Sequence, residues 1–512
     1  MDSGKKKDCL NGSLSSKRRL RAFNIRKNTA KFYKDRPILS HPTNGDEIKY
    51  PNKIANYSKA LPHNRLGEVK LNAYRELIKA LKTGNPNDFE SIPLGGERKL
   101  VNPQAAFAFE LIGPDSHQLF LPSPPSFSSA ITAGEMVELY WQSLARNVPF
   151  GEYSTNRITI SAADELSRLS DFKGPKRNGK VTTSTLFREN LPGALVGPYI
   201  SQFLWKDIPY VSTTVEQRYR TTIARDDHLT SYEDWLAVQN GSSPPRSNVY
   251  DSTPRYIRNG RDLGEYVHND HSIESGLTAC LILLSYSNDA LDPANPYLSS
   301  KTQIGFPTFG TAHALDFVTK AARPALEAAW FQKWLVHRRI RPEEFGGRIH
   351  NTLTGAAKYP IHSDVLNSKA LSLIFDQYGT YLLPQAYAEG SPTHPSYPAG
   401  HATFIGAMVT MLKAFFKESF IIPNPVIASS DGLYLVPYLG PPLTVGGELN
   451  KLAYNIALAR NFAGVHFRTS GINGLILGEK VAIGILRDYR NTYNENFKGF
   501  SITKFNGKKI VI

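Results

Sequence analysis

The chain has 512 residues, 41% of them hydrophobic and 11% aromatic, and a formal net charge of +15. That length and apolar content support a large core and exclude wholesale disorder, while the two cysteines, Cys9 and Cys280, exclude a disulfide framework or a cysteine metal cluster. No run of about twenty apolar residues marks a membrane span, and no apolar segment of the secretory type follows the basic N-terminus, so the sequence reads as that of a soluble protein of unassigned compartment.

Residues 1–27 carry nine Lys and Arg side chains against two Asp. With Ser and Gly between the charges, residues 1–30 are expected to form a disordered basic tail. Without a zinc finger or an RNA-binding motif, no specific nucleic-acid partner is expected. The remaining positive surplus suits an anionic ligand or substrate. Residues 31–260 read as a mostly helical, loop-rich region. "NAYRELIKALKTG" is a helical patch, and residues 127–147 form the first long helix, with Met136, Leu139, Tyr140 and Leu144 on one face. "YVSTTVEQRYRTTI" is the one candidate strand pair. Residues 261–500 alternate apolar helical stretches with Gly- and Pro-rich loops, and residues 501–512 form a short tail. The fold class is mainly α, a large helical-bundle protein with few short strands and the active site in the C-terminal bundle.

Three stretches of that bundle carry chemistry. In "HPSYPAGHATFIGAMV" the prolines stop where a helix begins, so Gly400 and His401 fall in the first turn. Its free N–H groups and positive dipole end suit an oxyanion, although a structural histidine at an ordinary helix start has the same pattern. In "KWLVHRRIRP" Lys333 precedes Arg341 by two helical turns and Pro342 ends the run. Basic residues there serve commonly as dipole partners, yet the apolar flanks put part of this helix inside, where a cation needs an anion. In "ALARNFAGVHF" Arg460 stands six residues before His466, with Gly464 turning the chain between them. A hydrogen-bonded core histidine is the alternative there. Together the stretches supply an ammonium, two guanidiniums and two imidazoles. Such a set clamps a tetrahedral or trigonal-bipyramidal oxyanion, with one histidine at the central atom and the other as acid/base at the opposite oxygen.

From "NPQAAFAFELIGPDSHQLFLP" to "GLILGEKVAIGIL", through "ALDPANPYLSSKTQ" and "HPSYPAGHA", the sequence resembles the algal-type vanadium bromoperoxidases. These belong to the superfamily that joins vanadium-dependent haloperoxidases with type 2 phosphatidic-acid and acid phosphatases. The resemblance implies a homo-oligomeric enzyme with one vanadate per subunit. It would oxidise bromide or iodide with hydrogen peroxide to a hypohalous-acid equivalent that halogenates small organic acceptors. It implies that His466 ligates vanadium and that Lys333, Arg341, Arg460 and the Gly400 N–H hold the vanadate oxygens, Lys333 also polarising peroxide. His401 would manage protons at the apical oxygen, and His394 would favour bromide and iodide over chloride. Trp330 would tune halide handling, and Asp270 would support an arginine from behind.

Two positions depart from the family pattern. Ala399 stands at a cofactor-binding position where serine is usual, and Ser470 stands where aspartate is common. The rival implied by the same superfamily is a phosphatase with His466 as nucleophile, because vanadate resembles the transition state of phosphoryl transfer. A second rival is a pseudoenzyme that only holds an oxyanion. A structural calcium is left open, with no EF-hand loop to predict it, and a zinc site at "HNDH" lacks a third or fourth ligand by spacing.

Overall fold

The structure, a computed structural model, describes residues 8–512; the first seven residues of the expected tail lie outside that range. From Asp8 to Lys34 the expected disorder is replaced by a 27-residue helix, α1. Ala22, Ile25, Thr29 and Tyr33 form its less exposed face, a helical spacing that is hard to see among so many charges. The Tyr33 hydroxyl pins it by donating to Asp488 Oδ1 at 3.0 Å.

The helices of the N-terminal region include α2 (Leu71–Thr83), α3 (Ala130–Ala145), α4 (Arg157–Arg168) and α5 (Tyr232–Gln239). α3 matches the expected long helix, but it is buried nearly all round, and of the four residues assigned to its inner face Leu144 is only partly buried. The C-terminal bundle contains α6 (Glu274–Leu284), α7 (Thr311–Lys320), α8 (Ala322–Trp330), α9 (Pro342–Leu353), α10 (Lys369–Tyr378), α11 (Gly400–Phe415), α12 (Val445–Phe462) and α13 (Arg468–Arg490). α11 is its axis, packed along α13 and also against α12, α8 and α7.

The stretch read as one helix through Lys333 and Arg341 is three pieces. Pro324 falls in the first turn of α8, where a missing N–H is harmless, and α7 ends just before. After α8 the chain widens into a π-helical segment, Phe331–His337, and leaves it at Arg338, whose φ is +43°. Pro342 then opens α9 instead of ending a helix, with Arg341 as its N-cap residue. Lys333 and Arg341 are thus on different elements.

Three antiparallel hairpins complete the fold: β1 (Ile208–Tyr210) with β2 (Thr213–Val215), β3 (Val426–Ala428) with β4 (Leu435–Pro437), and β5 (Ser501–Thr503) with β6 (Lys509–Val511). The first matches the expected strand pair. The last corrects the reading of 501–512 as a tail: Phe500, Ile502, Phe505 and Ile512 are buried, and Ile502 faces Ile510 across the pair. One apolar core runs from Tyr50 to Ile512, so residue 260 does not separate two cores. At the end of α3, Arg146 stitches the regions together, donating to Phe462 O and Pro384 O at 2.8 Å each. Among the described residues no helix is long and apolar enough to cross a membrane.

Candidate active site

As the sequence indicates, Gly400 is the first residue of α11 and His401 the second. Ala399 precedes them in an extended conformation and provides no side-chain cap; its N–H donates to Ser470 O at 2.8 Å. A Cβ at Gly400 would meet the Trp330 ring at 3.3 Å and Leu326 at 3.4 Å, so glycine lets this helix start approach α8. Hydroxyls nearby bond within the protein. Thr403 Oγ1 donates to Ala399 O at 2.8 Å, and Ser396 pairs with Ser470 at 3.2 Å.

The three cations are buried: Lys333 and Arg341 at 0% exposure, Arg460 at 4%. Lys333, carried by the π-helical segment, donates to Pro395 O at 2.5 Å. Arg341 donates through Nε to His394 O and through one terminal nitrogen to Val465 O, both at 2.8 Å. That same nitrogen lies 2.9 Å from His466 Nε2, and the other lies 2.9 Å from His394 Nδ1. Arg460, from the last turn of α12, donates to Val267 O at 2.5 Å and to the Tyr387 hydroxyl at 3.2 Å, while its Nε is buried without a partner. Among the described residues, none of the three forms an ion pair with a carboxylate, whereas buried Lys59, Arg146, Arg339 and Arg468 all do. Burial, then Arg341 and Arg460, pulls the Lys333 ammonium well below its usual range. Burial, then Arg460, brings Arg341 down to about 9. This is an unneutralised cationic pocket, and buried cations without counter-charge are costly unless an anion joins them.

The histidines respond to the same field. His466 is fully buried and held well below the usual imidazole range, by burial first and then by Arg341, Lys333 and Arg460. Arg341 donates to His466 Nε2, so that nitrogen carries the lone pair and the proton sits on Nδ1, which is buried without a partner. His394 is likewise depressed, by burial and then Lys333 and Arg341, and its ring packs 4.7 Å from that of Trp330. His401 differs. Its side chain is 22% exposed, and Nε2 donates to Asp270 Oδ1 at 2.8 Å. Burial lowers the His401 pKa and Asp270 opposes that shift. Burial alone would raise Asp270, but His401 and Arg460 together hold it below the usual carboxylate range. Asp270 therefore serves His401 directly, whereas the sequence assigned it to an arginine.

All ten residues singled out from the sequence thus lie in or against one pocket. Lys333, Arg341, His394 and His466 are joined through direct bonds or shared segments; Arg460 and the His401–Asp270 pair close it by charge. The donor set fits an oxyanion such as vanadate, with cations lacking an anion, Arg460 Nε lacking an acceptor and one neutral imidazole lone pair among them. The "HNDH" stretch is no zinc site, since His268 bonds Glu265 and Glu389 while Asp270 bonds His401. No group of three or more His, Cys, Asp or Glu side chains among the described residues is placed to hold a metal ion. Sequence reading missed Tyr387 and the carbonyls of Val267 and Pro395. "VHNDH" drew attention to the right loop without revealing that its backbone holds Arg460.

Fold and pocket together define a helical-bundle protein with a buried, cation-lined site whose donors fit an oxyanion. The family description "VCPO second helical-bundle domain" matches residues 316–495. The vanadium-dependent bromoperoxidase of Ascophyllum nodosum is 36% identical over 482 residues, covering 89% of this chain and 86% of that protein. That of Corallina officinalis is 34% identical, covering 96% of this chain and 98% of that one. The solved homohexamer of the second vanadate-dependent bromoperoxidase from Ascophyllum nodosum superposes with a TM-score of 0.91 at 30% identity, over 96% of this chain and 90% of that chain. The chain belongs to the vanadium-dependent bromoperoxidase family.

Proposed function

We propose that this chain, loaded with vanadate, oxidises bromide, and iodide as well, with hydrogen peroxide to a hypohalous-acid equivalent that halogenates small organic acceptors. The observation that carries the proposal is the trio of buried cations with no carboxylate partner among the described residues, grouped around the neutral His466 imidazole. Bound vanadate supplies a Lewis acid that activates peroxide without changing its own oxidation state. Lys333, Arg341 and Arg460 neutralise the anion and fix its oxygens, with the Gly400 N–H at the helix start beside them. His466 would ligate the metal through Nε2, the nitrogen that carries the lone pair. His401, partly exposed and tied to Asp270, takes and returns the protons that peroxide brings. His394 and Trp330, whose rings pack against each other, shape the halide side of the pocket and disfavour chloride. A homo-oligomer is part of the same proposal, supported by the homohexameric relative. A structural calcium is not part of it.

The test is His466→Ala, followed by equilibrium dialysis against orthovanadate. Loss of stoichiometric retention is expected; retention equal to that of the unchanged chain would remove His466 as the ligand.

A further inference from the structure

Arg460 is held by fewer hydrogen bonds than Arg341, the other guanidinium of the site, and what constrains it comes from outside the three motifs. Its guanidinium has two partners, Val267 O and the Tyr387 hydroxyl, both served by one terminal nitrogen. The buried Nε has none. Tyr387 is itself fixed twice. Its hydroxyl donates to Gly264 O at 2.6 Å, and its ring is stacked against His268 with centroids 3.9 Å apart and planes 3° from parallel. His268 cannot turn, because Nδ1 faces Glu265 Oε2 at 3.2 Å and Nε2 faces Glu389 Oε1 at 2.8 Å. A carboxylate at each ring nitrogen requires a proton on both, so His268 is an imidazolium clamped edge to edge.

We propose that Tyr387 and His268 act as a positioning pair that aims the Arg460 guanidinium into the oxyanion pocket and so sets how tightly the pocket holds vanadate. The inference rests on the vanadate reading of the site. With the Tyr387 oxygen fixed under one terminal nitrogen, the guanidinium plane is defined by two acceptors on the same side. The unpartnered Nε is left for the ligand. Without the Tyr387 oxygen, one carbonyl remains and the plane is free to rotate about it. Without the His268 stack, the Tyr387 ring loses the face that keeps its oxygen in place. Neither residue touches the ligand; both act through Arg460. The loop 267–270 thereby serves both arms of the site, Arg460 through Val267 and His268, and His401 through Asp270.

The experiment is a vanadate titration of the metal-stripped full chain, comparing the unchanged protein with Tyr387→Phe, His268→Gln and the double variant. Tyr140→Phe is the control; it loses a buried hydroxyl bond to Tyr381 O, 2.7 Å long, on α3. Each pair variant is expected to bind roughly tenfold more weakly, the scale of one hydrogen bond to a charged group. The double variant should be little worse than Tyr387→Phe alone, because both changes release the same guanidinium, and Tyr140→Phe should bind as the unchanged chain does. His268→Arg, which keeps a planar cation between the two carboxylates, should recover part of the affinity. Unchanged affinity in Tyr387→Phe, or losses that add fully in the double variant, would overturn the pair while leaving the vanadate reading intact. Failure of the unchanged chain to bind vanadate would overturn that reading, and the pair with it.

Discussion

At position 399 a single hydroxyl separates this chain from its family's usual pattern. Ala399 is buried at the N-cap of α11, and the neighbouring hydroxyls of Thr403 and Ser396 are already bonded. Ala399 itself supplies no side-chain donor. A hydrogen bond to a charged group contributes about 1.5–3 kcal/mol, so Ala399→Ser should tighten vanadate binding by about tenfold or more. Equal affinities by dialysis would show that the site does not use a donor there. His268 offers a second residue-scale test. Burial alone would lower its pKa, but Glu265 and Glu389 raise it from the usual 6.5 to about 9. A raised folded-state pKa means stability present in full below pH 6.5 and lost as pH rises through about 9. The thermal midpoint should fall across that window, and His268→Gln should flatten that part of the curve; an unaltered slope would contradict the clamp. The site's charged residues were legible in sequence because an ammonium, two guanidiniums and two histidines beside Gly/Pro breaks have few joint explanations. Tyr387 was not. Its importance depends on Arg460, 73 residues away, and no local pattern marks a tyrosine that supports an arginine.

Among the elements, the helices were the most readable part, since apolar stretches between Gly- and Pro-rich loops announce themselves. α11, α12 and α13 fall where the patterns put them. Reading failed where one residue permits two roles. Pro342 can stop a helix or start one, and only the turn at Arg338, with its φ of +43°, decides for the start. That choice has a consequence, because it frees Arg341 from the Lys333 helix and lets it reach both His394 and His466. The β5–β6 hairpin joins two three-residue strands, too short for periodicity to mark, and it lacks the run of Val, Thr and Tyr that marks β1–β2. Yet it closes the core. Lys413 donates to Thr503 O at 2.9 Å, and Glu479 accepts from Phe505 N at 2.6 Å. Removing residues 501–512 exposes the faces that Ile502, Phe505 and Ile512 cover, at about 1.5–3 kcal/mol for each side chain. A clearly lower thermal midpoint is expected on truncation; a midpoint equal to that of the full chain would mean that the hairpin packs without stabilising.

For the whole molecule, the two regions share one core, and the pocket needs both. α1, the N-terminal loops and α3 brace the bundle from one side. The three cations approach His466 from three separate elements: the π-helical segment after α8, the N-cap of α9 and the last turn of α12. Such a pocket stores unneutralised positive charge in the protein interior, and the tertiary fold, not any one helix, holds it there. Vanadate and phosphate suit the same pocket chemistry, and the proposed reaction is halide oxidation. The direct measurement uses metal-stripped chain with and without added vanadate, assayed for peroxide-dependent bromination and for p-nitrophenyl phosphate hydrolysis. Bromination that appears only with vanadate is the predicted result. Phosphate-ester hydrolysis that vanadate inhibits, with no bromination under any condition, would contradict it and make His466 a nucleophile.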